Sequence, residues 1–179
     1  MKQASQSKVR HMDRRHAAHM TSNLTAGGYN SLYCRSCDYL FGRGVTADDH
    51  RAFSLNAEAA DGGHGDAVLA MGWFYLNGVG VERSVERARK WYRDSARRGD
   101  IRAMFSLGQI ACAERDYSDA LTWFRRASDA GHHRSLYFIG RLYWRGHGVG
   151  LNRKEAMSYF HRAAAYKVKE AQRVLRFMT

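Results

Sequence analysis

Two cysteines three residues apart, Cys34 and Cys37, are the residues whose type and spacing first suggest chemistry. On a helix they share a face, where two thiols can hold a metal or form a redox pair. A zinc site needs two further ligands. Cys112 is the only other cysteine, and the histidines show no finger-type spacing. Of the pair, Cys34 falls on a core-side position, whereas Cys37 is expected at a variable surface position and to be the more reactive. His11, His16 and His19 could chelate a metal weakly, but they sit in a polar leader and are expected to be solvated. In the same leader Ser5-x-x-Lys8 matches the string of serine acylases, with nothing to hold a nucleophile against an oxyanion site. Gly42-x-Gly44-x-x-Ala47 matches a loose dinucleotide fingerprint, which needs a preceding strand and a parallel sheet, and the chain offers no strand candidate. No paired carboxylates, Ser/His/Asp set or phosphate loop survives the helical register. The chain is therefore read as no enzyme, with no cofactor and no metal.

The elements explain the glycines better. Gly-x-Gly-Val recurs at Gly42-x-Gly44-Val45, Gly78-x-Gly80-Val81 and Gly146-x-Gly148-Val149, each time between two helical patterns. The first interval is 36 residues, inside the range of about 20–50 that marks stacked repeats. The 179 residues contain no proline, so nothing breaks the helices from within. Residues 1–30 are of another kind: Lys2, Lys8, Arg10, Arg14 and Arg15 stand against Asp13, with little apolar content. Such a segment cannot bury enough surface to offset chain entropy. A disordered basic tail is expected over 1–30 and a repeat domain over 31–179. Three roles stay open for the tail: a solvated leader, a tether to nucleic acid or a membrane surface, or an organelle transit peptide. No run of apolar residues is long enough to span a bilayer, and three cysteines are too few for a disulfide framework. A cytoplasmic location is expected, with organelle targeting by the tail as the alternative.

From Ser31 the register can be laid down residue by residue. Helix A of each unit carries Leu32, Val68, Met104 and Leu136 at one place, and Ser36, Gly72, Gly108 and Gly140 at another. Glycine in mid-helix costs about 1 kcal/mol against alanine, so its recurrence predicts close helix approach. Helix B answers with two large rows, Leu55, Trp91, Trp123 and Tyr159 and then Asn56, Tyr92, Phe124 and Phe160, between small residues such as Ala52, Ala88, Ala120 and Ala156. Large rings are expected to fill the holes that the small residues leave. The B helices should end at Gly63, Gly99 and Gly131, and the valine of each corner should fold back as an apolar plug. The third corner is shorter, running from Ala111 to Tyr117 without the glycine motif, and its interval falls to 32. Residues 169–178 place Ala171, Val174, Leu175 and Met178 on one stripe, as a terminal cap must.

The run Met71-Gly72, Tyr75, Gly78, Gly80-Val81, followed by Ala88, Trp91-Tyr92, Ala96, Gly99 and Ala103, resembles the consensus of the Sel-one-like repeat family, a relative of tetratricopeptide repeats. The fourth unit matches nearly as well through Ile139-Gly140, Tyr143, Gly146, Gly148-Val149, Ala156, Tyr159-Phe160 and Ala163-Ala164. The third is closer to a tetratricopeptide unit, and the first is degenerate, with Arg35-Ser36 where Leu-Gly is expected. The resemblance covers roughly residues 31–178. It implies an all-α, right-handed superhelical solenoid of antiparallel helix pairs, here about four repeats plus a C-terminal capping helix. It also implies an adaptor or scaffold role in protein–protein interaction, without naming a partner.

In such an array the A helices make the concave wall. Its inward positions are Tyr33, Leu69, Phe105 and Tyr137 on one line and Cys37, Trp73, Gln109 and Arg141 on the next. Asn30, Asp66, Arg102, Arg134 and Glu170 stand at the helix entrances. Aromatics flanked by arginines suit an extended or helical peptide with an acidic group. The expected partner-binding residues are Tyr33, Leu69, Trp73, Arg102, Phe105, Gln109, Arg134, Tyr137 and Arg141. The expected partner is a protein or peptide segment. Nucleic acid, suggested by the formal net charge of +12, is the second choice, and the oligomeric state is left open.

Overall fold

A computed structural model describes residues 27–178. The tail expected over 1–30 lies outside the described residues up to position 26, and from Gly27 the chain is already helical. Among the described residues all regular structure is α-helix, in nine segments: α1 (Gly27–Phe41), α2 (Asp49–Asp61), α3 (Gly65–Asn77), α4 (Val85–Arg97), α5 (Ile101–Ala113), α6 (Tyr117–Asp129), α7 (Arg134–Arg145), α8 (Arg153–Ala165) and α9 (Lys169–Met178). The odd-numbered helices are the A helices of the repeat and the even-numbered ones the B helices. The expected all-α array of helix pairs closed by one further helix is what the chain forms. It divides into two compact units, one ending at Ala67 and the other beginning at Val68.

The first unit holds the pair α1 and α2. Asp48 caps α2, its side chain accepting from Arg51 N at 3.0 Å. Where the later repeats pair glycine with a ring, this one pairs two small polar groups. Ser36 Oγ donates to Ala52 O at 2.7 Å, and Asn56 Nδ2 donates to Ala67 O at 3.0 Å. Both side chains are buried, and Asn56 Oδ1 has no partner, so the substitution keeps the volume small but leaves one acceptor without a bond.

In the second unit each B helix locks onto the A helix before it by the device that the sequence suggests. A Cβ at Gly72 would stand 2.6 Å from the Tyr92 ring, at Gly108 2.6 Å from Phe124, and at Gly140 2.7 Å from Phe160. No real side chain fits at those distances, so the absent methyl is what admits the ring. Phe124 and Phe160 are almost wholly buried, and burying each such ring stabilises by roughly 1.5–3 kcal/mol. The core they build runs through Met104, Leu107, Ile110, Leu121, Ile139 and Leu142. A smaller cluster of Leu136, Ala163 and Ala171 joins α9 to the last pair.

The starts of the B helices are as periodic as their cores. Ser84 accepts from Arg87 N at 3.2 Å, Asp116 from Asp119 N at 3.0 Å and Asn152 from Glu155 N at 2.9 Å. With Asp48, these form a line of capping residues at one place in every repeat, a signal that the register of apolar positions passes over. The expected stops Gly63, Gly99 and Gly131 all adopt positive φ, and Lys167 takes that conformation at the fourth. The valine plug is only partly realised. Val149 packs against the core, but Val45 is 37% exposed. In the short third corner Arg115 turns the chain with φ 65°. The fourth corner uses the room, because a Cβ on Gly148 would lie 2.4 Å from the backbone carbon of Tyr117. His147 stacks on the Tyr117 ring at 4.2 Å beside this contact.

Candidate interaction face of the A helices

The inward positions divide by what covers them. In the first unit Tyr33 is only 5% exposed, and its ring lies 4.7 Å from that of His64. His64 also caps α3, its Nδ1 accepting from Ala67 N at 3.3 Å. The second unit repeats the arrangement. Phe105 is 8% exposed, and His132 covers it at 4.3 Å from the entrance of α7. Thus a histidine at the entrance of one A helix sits on the ring of the A helix before it, and these two aromatics belong to the packing more than to the surface.

Cys37 corrects an expectation. It is 5% exposed, not a surface thiol, and burial, with Cys34 beside it, pushes its pKa up to about 12. A thiol held in that way is a packing group. Cys34 is half-buried, and its pKa too is raised, by burial and then by Asp38. Among the described residues no three His, Cys, Asp or Glu side chains stand together as a metal site.

The remaining inward residues lie in the second unit. Where α5 meets α7, Phe105 and Phe138 pack edge to face at 5.3 Å, and Tyr137 turns its ring edge to Phe138 at 5.4 Å. The guanidinium of Arg141 lies 5.8 Å from the Tyr137 ring and 5.7 Å from Phe138. That of Arg134 lies 5.8 Å from both Phe105 and Phe138. Leu69, Trp73, Tyr137 and Arg141 are half-buried, and Gln109 and Arg134 are exposed. Five sequence-nominated or neighbouring residues, Phe105, Arg134, Tyr137, Phe138 and Arg141, therefore meet in one cation-and-ring patch. Leu69 and Trp73 sit on α3, with Leu69 against the core and Trp73 edge-on to Phe74 at 5.4 Å.

Two of the entrance arginines have carboxylate partners inside the chain. Arg102 Nε donates to Asp100 at 3.0 Å, and Asp100 also caps α5 through Arg102 N at 2.8 Å. Burial would raise the Asp100 pKa, but the bonds and charge of Arg102 outweigh it and hold it low. Arg134 pairs with Glu170 of α9 at 2.6 Å. There too burial is outweighed, by a backbone hydrogen bond and by Arg134, so the carboxyl is held below its usual range.

One catalytic-looking pair occurs at the α6–α7 turn, where His132 Nδ1 and Ser135 Oγ are 2.9 Å apart. Ser135 is fully buried, and burial together with the Arg134 charge pushes His132 down to about 4. A substrate cannot reach that hydroxyl, and so weak a base is poorly suited to take its proton. The pair serves the turn.

Residues missed in the sequence complete the face. Extending the register by a further 36 positions places Arg173 in line with Tyr137 and Phe177 in line with Arg141. Phe177 is 85% exposed. The entrance line already includes Glu170, and the same step along the register reaches these two.

Comparison with known proteins gives this architecture its kin. The family model of the Sel1 repeat matches residues 33–64, 65–100, 102–132 and 133–165. A Sel1 repeat protein from Oxalobacter formigenes shares the fold with a TM-score of 0.76 and 26% identity, over 87% of this chain and 65% of that one. The c5321 protein, a protective antigen of uropathogenic Escherichia coli displaying an SLR fold, superposes with a TM-score of 0.73 and 24% identity, over 80% of this chain and 32% of that one. Chitin synthase regulator SKT5 of Saccharomyces cerevisiae is 38% identical over 60 residues, which are 34% of this chain and 9% of that protein. The chain thus spans less than two thirds of the length of each of these relatives. Four matched repeats, in step with the glycine and ring pairs described above, show that the chain belongs to the Sel1 repeat family.

Proposed function

We propose that this chain is a non-catalytic adaptor that holds a segment of a partner protein against the exposed face of its A helices. Sel1 repeats are protein-interaction modules, and one relative is named as a regulator of chitin synthase. The observation that carries the reading is the patch at α5 and α7, where Arg141 lies across two rings on a half-exposed surface. Rings and guanidinium groups together favour protein surfaces and acidic segments. None of the described helices is long and apolar enough to cross a membrane, and the three thiols are unpaired, in keeping with a reducing, cytoplasmic setting.

A photo-crosslinking amino acid placed at Gln109, on the A face, should give discrete protein adducts in cells. The same group at Lys90, exposed on α4, should give none of them. Equal adducts from both positions would remove the assignment of the face.

The basic charge supports a second reading, binding to nucleic acid or another anionic surface. Helix α4 carries five basic side chains against two acidic ones, but part of the charge is neutralised locally, by Lys90 with Glu86, Arg98 with Asp94 and Arg89 with Glu114. Affinity for an oligonucleotide that falls steeply as salt rises would favour this reading over the first.

A further inference from the structure

Of the arginines on α5 and α7, Arg102, Arg134 and Arg141 stand at the inward positions, and they are not equivalent. Arg102 is engaged by Asp100 and Arg134 by Glu170. Among the described residues no carboxylate pairs with Arg141, whose guanidinium rests beside Tyr137 and Phe138. Stacking on rings holds a guanidinium in place while its edge N–H groups stay available. Such a fork matches a carboxylate in bidentate geometry.

The row to which Arg141 belongs says what would lie beside that carboxylate. Its equivalents are Trp73 on α3, Gln109 on α5 and Phe177 on α9, separated by 36, 32 and 36 residues. Trp73 is half-buried, and Gln109 and Phe177 are exposed. The row therefore reads ring, amide, cation, ring. Packed helices stand about 8–10 Å apart, and an extended chain rises about 3.3 Å per residue, so each step along the row matches about three residues of extended ligand. A helical ligand rises only about 1.5 Å per residue and would need roughly six or seven. Gln109 favours the extended form. Its carboxamide offers a donor and an acceptor, which an extended backbone can answer and a helix, with its N–H and C=O groups already paired, cannot.

We infer that the row Trp73, Gln109, Arg141 and Phe177 binds an extended segment of a partner protein through an Asp or Glu seated on Arg141. An apolar side chain three residues away from that acid meets Phe177. A second apolar side chain, six residues away on the other side, meets Trp73, and the backbone between them pairs with Gln109. The inference rests on the A face being the interaction face.

The test is selection of a random peptide library displayed on phage against the purified full chain, followed by fluorescence anisotropy with the best peptide. Selected peptides should carry the acid with apolar residues at three and six positions on opposite sides. Arg141→Met should weaken binding about tenfold or more, and changing the peptide's acid to its amide should do the same without further loss in the variant. Arg141→Lys should recover only part of the affinity, because it lacks the fork. Trp73→Ala and Phe177→Ala should each weaken binding while far-UV circular dichroism shows both variants folded at the assay temperature. Peptides without an acid, apolar anchors at about six or seven and twelve to fourteen residues from the acid in place of three and six, a silent Arg141→Met, or no binder at all would each overturn the inference. If such peptides still lose affinity on Trp73→Ala, the A face survives as the interaction face. If they bind unchanged to a chain with Trp73, Gln109 and Arg141 all replaced by alanine, the face itself is wrong.

Discussion

Replacing Gly108 with alanine probes the lock within the helix pair α5 and α6 of the second unit. The new Cβ would stand 2.6, 2.7 and 3.0 Å from three atoms of the Phe124 ring. Carbon atoms in contact prefer about 3.5–4.0 Å, so ring or helix must move by about 1 Å. Phe124 has little room to retreat, since it is fully buried and its ring meets Phe105 at 5.7 Å and Phe138 at 5.1 Å. Overpacking costs about 1–3 kcal/mol, and a ring confined on two sides belongs at the upper end. Alanine returns about 1 kcal/mol of helix propensity. The net expectation is destabilisation by about 2 kcal/mol, or a fall in Tm of roughly 4–8 °C for a domain of this size. In a Phe124→Ala background the clash is gone and only propensity remains, so the same change should stabilise by about 1 kcal/mol. Thermal and urea unfolding followed by far-UV circular dichroism measures both. A Gly108→Ala chain that melts above the parent, or an effect of the same sign in both backgrounds, refutes the interlock.

Gly148→Ala and Gly44→Ala both place a side chain at positive φ, 66° and 69°, but only Gly148 faces a neighbouring backbone. Gly44→Ala should cost about 1–2 kcal/mol of backbone strain, and Gly148→Ala clearly more; equal losses in Tm would remove the corner contact with Tyr117. In the first unit Asn56→Phe alone should destabilise by about 1–3 kcal/mol, and adding Ser36→Gly should recover most of that, as a double-mutant cycle in urea would report. His132 sets a pH dependence. Folded, it is held near 4, below the usual value of about 6.5, so the unfolded chain takes up its proton first. Its share of stability is complete above about pH 6.5 and is lost as pH falls toward 4. His132→Phe keeps a ring on Phe105 and should flatten that slope between pH 6.5 and 4; an unchanged slope would show that other groups set it.

The glycine and ring pairs were legible because they repeat on the same side of every helix, and periodic packing leaves a periodic trace. The burial of Cys37 was not, because its equivalents Trp73, Gln109 and Arg141 range from half-buried to exposed, so position alone does not fix its surroundings. Tyr33 and Phe105 were placed on the right helices, but their histidine covers are supplied by the next turn of chain. The equivalent of His64 and His132 is Asp100 in the third repeat, which hides the pattern. The pairing of Arg134 with Glu170 could have been read, since both stood on one line at adjacent helices. That of Arg102 with Asp100 could not, because it forms within one turn and not between repeats.

The third corner lacks four residues, yet Gly108 meets Phe124 as closely as Gly72 meets Tyr92. The contact that fixes each helix pair is thus indifferent to how long the path between its partners is. Loop closure is correspondingly forgiving, with each doubling of length costing about 0.6 kcal/mol. Insertions and deletions can accumulate at the corners while the helix interiors are held to single-methyl tolerance. New loops, tags or guest segments can therefore enter this array at its bends, leaving the A helices in register.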